Sequence, residues 1–242
     1  MKRLLDITLA SVGLLIASPV LVPVLFLIYW QDKHSPFYVA PRMGRGEKPF
    51  KMIKLRSMRV NADKSGVDST SANDPRITSV GKFVRKFKLD ELPQLFNVLK
   101  GEMSLVGPRP NVQRETDLYT PEEKVLLTVA PGITDISSIV FSDENEILKD
   151  SADPDIDYNQ RIRPWKSRLG LLYVRNASIA LDIKLIALTV VAIVDRPRAL
   201  AGIQEVMRGL QADPQLAKVS SRKEPLFAFP PPGATQIVTS RS

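Results

Sequence analysis

The hydrophobic pattern of the chain opens with an apolar run over residues 4–30 in which Asp6 is the only charge. The run is too long for the core of a signal peptide and long enough for a spanning helix. Ser18-Pro19 and Pro23 interrupt it, however, and proline removes backbone hydrogen bonds and bends a helix. The halves, residues 4–17 and 20–30, would measure roughly 21 and 16 Å at about 1.5 Å per residue, each short of a hydrocarbon core of about 30 Å. Lys2 and Arg3 precede the run, and Lys33, Arg42, Arg45 and Lys48 follow it, which keeps both ends on the cytoplasmic side. The pattern predicts a re-entrant helix-hairpin broken at Ser18-Pro19, in preference to a kinked span. The Ser18 hydroxyl is the candidate partner for backbone freed at the break.

Beyond Trp30, alternation predicts two strands around Gly44-Arg45-Gly46, one carrying Phe37, Tyr38 and Val39 and the other Phe50, Ile53 and Leu55. Lys54 and Arg56 then share one face of the second strand. Residues 61–74 are polar and read as a loop. Residues 80–88 read as a basic helix or turn. A short amphipathic helix follows, with Leu92, Leu95, Phe96 and Leu99 on one face, Pro93 in its first turn and Gly101 as its stop. Thr120-Pro121-Glu122-Glu123 marks another helix start. Residues 176–194 predict a helix whose uninterrupted apolar part, 185–194, is too short to span; it suits the membrane interface or a packing role against the hairpin. Residues 198–211 predict a last amphipathic helix, and from Asp213 the Pro- and Ser-containing sequence predicts a disordered tail. The fold class expected is α+β and mainly helical. Residues 1–30 form the membrane hairpin, 31–197 a cytoplasmic catalytic domain with interfacial amphipathic helices, and 198–242 a helix with a tail.

Charge sharpens the picture. The net +8 falls entirely within residues 31–109, while residues 110–242 sum to −1. A basic block of this kind suits nucleic acid, anionic lipid headgroups or a phosphorylated small molecule. Residues 115–157 hold twelve acids against Lys124 and Lys149, so they are expected to face solvent, away from any phosphate. Asp153, Asp155 and Asp157 alternate, but the Gly and terminal Glu of a calcium loop are missing. The chain has no cysteine and one histidine, His34. Thiolate chemistry is excluded and a Ser-His-Asp triad disfavoured, leaving chemistry to carboxylates, Lys, Tyr, Ser or Thr.

Those carboxylates are adjacent at Asp90 and Glu91, at the start of the helix predicted after residue 89. There, unpaired N–H groups and the dipole favour negative charge, phosphate included. Taken alone the pair also reads as an ordinary helix cap. The stretch 89–110 closes on Gly107-Pro108-Arg109-Pro110, which fixes Arg109 between two prolines.

With Phe37-Tyr38, Arg42, Gly44, the Lys54-Leu-Arg-Ser-Met run, Gly81-Lys-Phe-Val-Arg85, the whole of 89–110, Pro131-Gly-Ile-Thr, Tyr173, Asp182 and Thr189, the chain resembles the monotopic phosphoglycosyl transferases, the bacterial sugar transferase family. The resemblance covers roughly residues 1–195, is most specific over 89–110, and is to the minimal catalytic form. It implies that Asp90 attacks the β-phosphate of a UDP-sugar, releasing UMP and leaving a phosphosugar-aspartyl intermediate. Polyprenyl phosphate then takes the sugar phosphate. The resemblance further implies Mg²⁺ held through Glu91, and Lys54, Arg85 and Arg109 as phosphate-binding cations. Location is expected at the cytoplasmic face of a bacterial inner membrane, in contact with lipid, with a homodimer allowed and unspecified. Many relatives continue Gly-Leu-Ala-Gln-Val after Pro131-Gly-Ile-Thr; here Asp135-Ile-Ser-Ser-Ile-Val follows, which leaves the sugar open. A non-catalytic membrane scaffold would use the same basic face for lipid alone and would tolerate loss of Asp90. A nucleic-acid binder is disfavoured because the block lacks interleaved stacking aromatics.

Overall fold

The computed structural model describes residues 1–62 and 74–239. Most of the 61–74 loop therefore lies outside the described residues.

The apolar run forms a single helix, α1, Lys2–Asp32. Helical structure continues through Ser18-Pro19 and Pro23 where a break between two helices was expected. The reason is visible at the first proline. Pro19 has no N–H to give the carbonyl of Leu15, one turn earlier, and the Ser18 hydroxyl donates to that carbonyl instead, at 2.8 Å. One stripe of α1 is buried, comprising Asp6, Ala10, Leu21, Val24 and Ile28. Leu15, Ile16, Val22, Phe26 and Trp30 stay exposed on its other faces.

Strands β1 (Phe37–Met43) and β2 (Pro49–Leu55) pair antiparallel with Phe37 opposite Leu55 and Ala40 opposite Met52, as the alternation predicts. Gly46 supplies the positive φ of their turn, 69°. Ala40, Met52 and Leu55 are buried, Met52 and Leu55 on opposite faces of β2. Helix α2 (Ser79–Lys86) starts at Thr78, whose hydroxyl accepts from the Gly81 N–H at 2.9 Å.

A single 3₁₀ turn, Leu89–Glu91, precedes α3, Gln94–Lys100. Gly101 ends α3 in the left-handed region, φ 86°, as predicted. The buried face of α3 differs from the expected one: Gln94, Leu95, Asn97 and Val98 are inside, while Phe96 is exposed. Asn97 is inside because its amide docks on β2, accepting from the Ile53 N–H at 3.0 Å and donating to the Lys51 carbonyl at 2.7 Å. A polar side chain that satisfies two backbone groups outcompetes a phenyl ring for that position.

Strands β3 (Ser104–Val106) and β4 (Gly132–Thr134) form a short parallel pair. Between them lie α4 (Gln113–Asp117) and a 3₁₀ segment, Glu123–Thr128. Helices α5 (Ile136–Val140), α6 (Glu144–Ile147) and α7 (Pro154–Asp157) lead into α8 (Arg163–Asn176). Asp153 caps α7, accepting from the Asp155 and Ile156 N–H groups. Helices α9 (Ile179–Val194), α10 (Arg196–Gly209) and α11 (Pro214–Ser220) complete the fold.

Trp165, Tyr173, Leu185 and Ile203 sit in the main core. Two smaller clusters lie under the two halves of α1: Ala10 with Leu95, Val98 and Met103, and Leu21, Val24 and Ile28 with Leu55 and Val84. Both ends of α1 are tied to the same body. Lys2 Nζ reaches Asp182 at 2.6 Å, Asp6 accepts from the Ser104 hydroxyl at 2.9 Å, and Asp32 takes two guanidinium nitrogens of Arg56.

The segment after Ser220 corrects the tail reading. Phe227 and Phe229 pack on Trp165, with ring centroids 5.2 and 4.6 Å away. Arg168 donates to the Pro230 carbonyl, and Gln160 to that of Val238. Low-hydrophobicity composition suggested disorder, but two aromatics and a guanidinium stack suffice to bind the segment to α8.

Candidate active site

Lys88 adopts a left-handed backbone, φ 55°, and turns the chain into Leu89–Glu91. Leu89 and Leu92 pack into the cluster formed by Leu21, Val24, Ile28, Leu55 and Val84. Anchoring these flanking leucines leaves Asp90 and Glu91 on the wall of a cavity of about 960 Å³. The same cavity is lined by Lys54 from β2, Arg85 from α2 and Arg109 from the Gly-Pro-Arg-Pro turn. The five residues singled out as a site, Lys54, Arg85, Asp90, Glu91 and Arg109, are thus together.

Glu91 is the hub of an ion cluster. Arg109 Nη2 donates to its Oε1 at 2.6 Å, and Lys54 Nζ stands 3.7 Å from the same oxygen. Its side chain is only 18 % exposed. Burial alone would raise its pKa, but Arg109 and Lys54 outweigh that and hold it down to about 2. Asp90 goes the other way. Burial, reinforced by the charge of Glu91, pushes its pKa up, with Lys54, Arg85 and Lys88 opposing. Asp90 Oδ1 is buried and has no hydrogen-bond partner. Lys54 is pulled down to about 8, first by burial and then by the Arg109 charge. Arg85 is lowered by burial and donates from Nε to the Ser57 hydroxyl at 2.9 Å. Neighbouring carboxylates thus have opposed environments: one locked between cations, one bare.

This arrangement sets a buried, unpartnered carboxylate oxygen beside a cationic surface suited to an anion. No group of three or more metal-ligating side chains occurs among the described residues. Asp90 and Glu91 do fit the sparser mode used for Mg²⁺, in which one or two carboxylates share the ion with substrate phosphates. The unpartnered Asp90 Oδ1 is the observation that favours this fit.

The structure also shows what the sequence reading missed. Residues 115–157, expected to face away from phosphate, contribute Glu115 and Glu144 to the cavity. Glu123 is fully buried against Arg163, whose Nη2 donates at 2.7 Å. Tyr158, Lys166 and Arg196 line the cavity too. No local pattern marks these residues; tertiary packing of α4, α6, α8 and α10 brings them there. Arg42 was named only as part of a motif, yet its strand faces the same space. Ser18 and Pro19 lie outside the cavity, within α1.

A model of the bacterial sugar transferase family matches residues 1–196. A Bacillus subtilis (strain 168) protein, provisionally named an undecaprenyl-phosphate N-acetylgalactosaminyl 1-phosphate transferase, is 49% identical over 121 residues, half of this chain and 68% of that protein. The UDP-glucose:undecaprenyl-phosphate glucose-1-phosphate transferase of Klebsiella pneumoniae is 38% identical over 193 residues, 78% of this chain but 39% of that protein. The exopolysaccharide production protein ExoY of Rhizobium meliloti (strain 1021) is 34% identical over 207 residues, 79% of this chain and 84% of that protein. The chain therefore spans about two fifths of the larger relative and most of the smaller one.

Proposed function

From the premise that this chain belongs to the bacterial sugar transferase family, we propose that it is a phosphoglycosyl transferase. It moves a sugar 1-phosphate from a UDP-sugar to polyprenyl phosphate, in the manner of undecaprenyl phosphate, to prime glycan assembly. The bare Asp90 carboxylate beside the Lys54–Glu91–Arg109 cluster carries this reading. An Asp90 oxygen attacks the β-phosphorus; the phosphoanhydride bond breaks and UMP leaves with the bonding electrons. A polyprenyl phosphate oxygen then attacks the same phosphorus, the bond to Asp90 breaks, and the carboxylate is regenerated. No proton need move in either step.

Burial and the missing hydrogen bond leave the Asp90 anion poorly stabilised, and hence nucleophilic. Arg109 and Lys54 offset repulsion between this anion and the diphosphate, and Arg109 has the forked geometry for phosphate oxygens. Glu91 keeps both cations in place. Mg²⁺, which Glu91 and the substrate phosphates would hold, would supply further charge neutralisation of the diphosphate.

The membrane placement we propose is supported by α1, both ends of which are held by one body. On this reading the helix enters and leaves the bilayer on one side, with its unburied apolar side in lipid and the domain at the cytoplasmic face.

The chemical test omits the acceptor. With Mg²⁺ and a panel of UDP-sugars, one UMP per protein should appear together with a phosphosugar adduct on Asp90. Asp90→Asn should give neither. UMP release by Asp90→Asn at the normal rate would overturn the covalent mechanism.

A further inference from the structure

Four carboxylates line the cavity among the described residues: Asp90, Glu91, Glu115 and Glu144. The first two are used above; the second pair, Glu115 and Glu144, is not. Glu144, at the start of α6, is ion-paired through one oxygen with Lys166 of α8. Lys166 in turn stands 5.3 Å from the Tyr158 ring centroid. Among the described residues Glu144 Oε1 has no hydrogen-bond partner, and the Glu115 carboxylate accepts no hydrogen bond. The Glu144 charge adds to the field at Arg109, so this wall adjoins the phosphate clamp.

We propose that Glu115, Glu144, Tyr158 and Lys166 form the subsite for the sugar hydroxyls, and that it selects an uncharged pyranose over a uronate. The proposal rests on the sugar-phosphate transfer read above. The donor divides chemically at the β-phosphorus. One side is a nucleoside monophosphate, the leaving group, whose negative charge suits the stretch of lining with Arg59, Arg76, Arg85 and Lys86. The other is a ring of hydroxyls carrying no charge. Two carboxylates with free lone pairs repel phosphate but accept hydroxyl protons, forming charge-assisted bonds stronger than neutral ones. The Lys166 ammonium donates to ring or hydroxyl oxygens, and the Tyr158 ring offers an apolar face. A uronate would bring a third carboxylate against Glu115 and Glu144, where like charges disfavour binding.

The experiment compares wild type with Glu144→Gln and Glu115→Gln in the acceptor-free reaction. It uses UDP-hexoses, UDP-N-acetylhexosamines, UDP-glucuronate and UDP-galacturonate, and measures UMP inhibition in parallel. Wild type should use neutral sugars at least about tenfold better than uronates. Each variant should raise the neutral-donor concentration that gives half the maximal rate of UMP release by about tenfold, the loss of one charge-assisted bond. The inhibition constant of UMP, which lacks the sugar, should not change, nor should the melting temperature. Variants that weaken UMP and donor equally would show that the wall holds nucleotide and overturn the proposal. So would a wild type that prefers uronates, or variants that leave the half-saturating donor concentration unchanged while wild type releases UMP. Absence of UMP release from every wild-type reaction would instead overturn the parent reading.

Discussion

Lys54 shares the Glu91 carboxylate with Arg109, and burial with the Arg109 charge pulls its pKa down to about 8, where an ordinary lysine stays above 10. Glu91 stays ionised down to about pH 2, whereas Asp90 is raised by burial and by Glu91. The acid limb of UMP release should therefore report Asp90, and the alkaline limb Lys54. Activity should rise as pH climbs through the Asp90 pKa and fall by roughly half near pH 8, as the cation opposing the diphosphate is lost. Arginine stays protonated throughout. Lys54→Arg should therefore move the alkaline limb up by more than one pH unit; an unmoved limb would assign it elsewhere. For stability the sign at Glu91 is the usual carboxylate one: its contribution is present above about pH 4.5 and lost as pH falls toward 2. The adjacency of Asp90 and Glu91 at a helix start was legible, though the pair taken alone also reads as an ordinary cap. Their division into a bare and a clamped carboxylate was not. It depends on Arg109, eighteen residues later, and on a strand lysine.

At the scale of elements, α2 meets the strand exit at one glycine. A Cβ on Gly81 would stand 1.8 Å from the Ser57 carbonyl oxygen, and Ser57 is also the residue that holds Arg85. Gly81→Ala should destabilise the fold by about 2 kcal/mol, the cost of overpacking. It should also lower UMP release more than Lys82→Ala on the same helix, because α2 must shift with Arg85 aboard. Unchanged melting and unchanged kinetics would remove α2 from the site. The hairpin and the α3 stop were readable, since alternation and a glycine stop are local signals, and α2 was read only as a basic helix or turn, its Thr78 cap unnoticed. The buried face of α3 was misread because Asn97 is inside for a reason in another element, the β2 backbone. The ordered segment past Ser220 escaped for the same reason: Phe227 and Phe229 mean little until Trp165 is beside them.

For the whole molecule the question is how α1 meets the bilayer. A helix of 31 residues would extend about 46 Å at 1.5 Å per residue, enough to cross. Yet Lys2 binds Asp182 and Asp32 binds Arg56 on one body. Cysteines replacing Met1 and His34, both exposed, should accordingly react with an impermeant maleimide from the same side of sealed vesicles. Labelling from opposite sides would mean a spanning helix with one of these pairs broken. Proline spacing and flanking charge suggest the same-side topology that the labelling would decide, while the continuity of the helix was hidden in one serine hydroxyl.

The Lys2–Asp182 pair joins residues 180 positions apart. At roughly 5–20 residues per second, Asp182 leaves the ribosome on the order of ten to thirty seconds after Lys2. For that interval α1 is complete while the body that grips it is not. If α1 is seated in lipid as proposed, the bilayer would cover its apolar side through that interval. The domain would then close around a partner already in place, so the membrane would serve as a template for folding as well as the place of work.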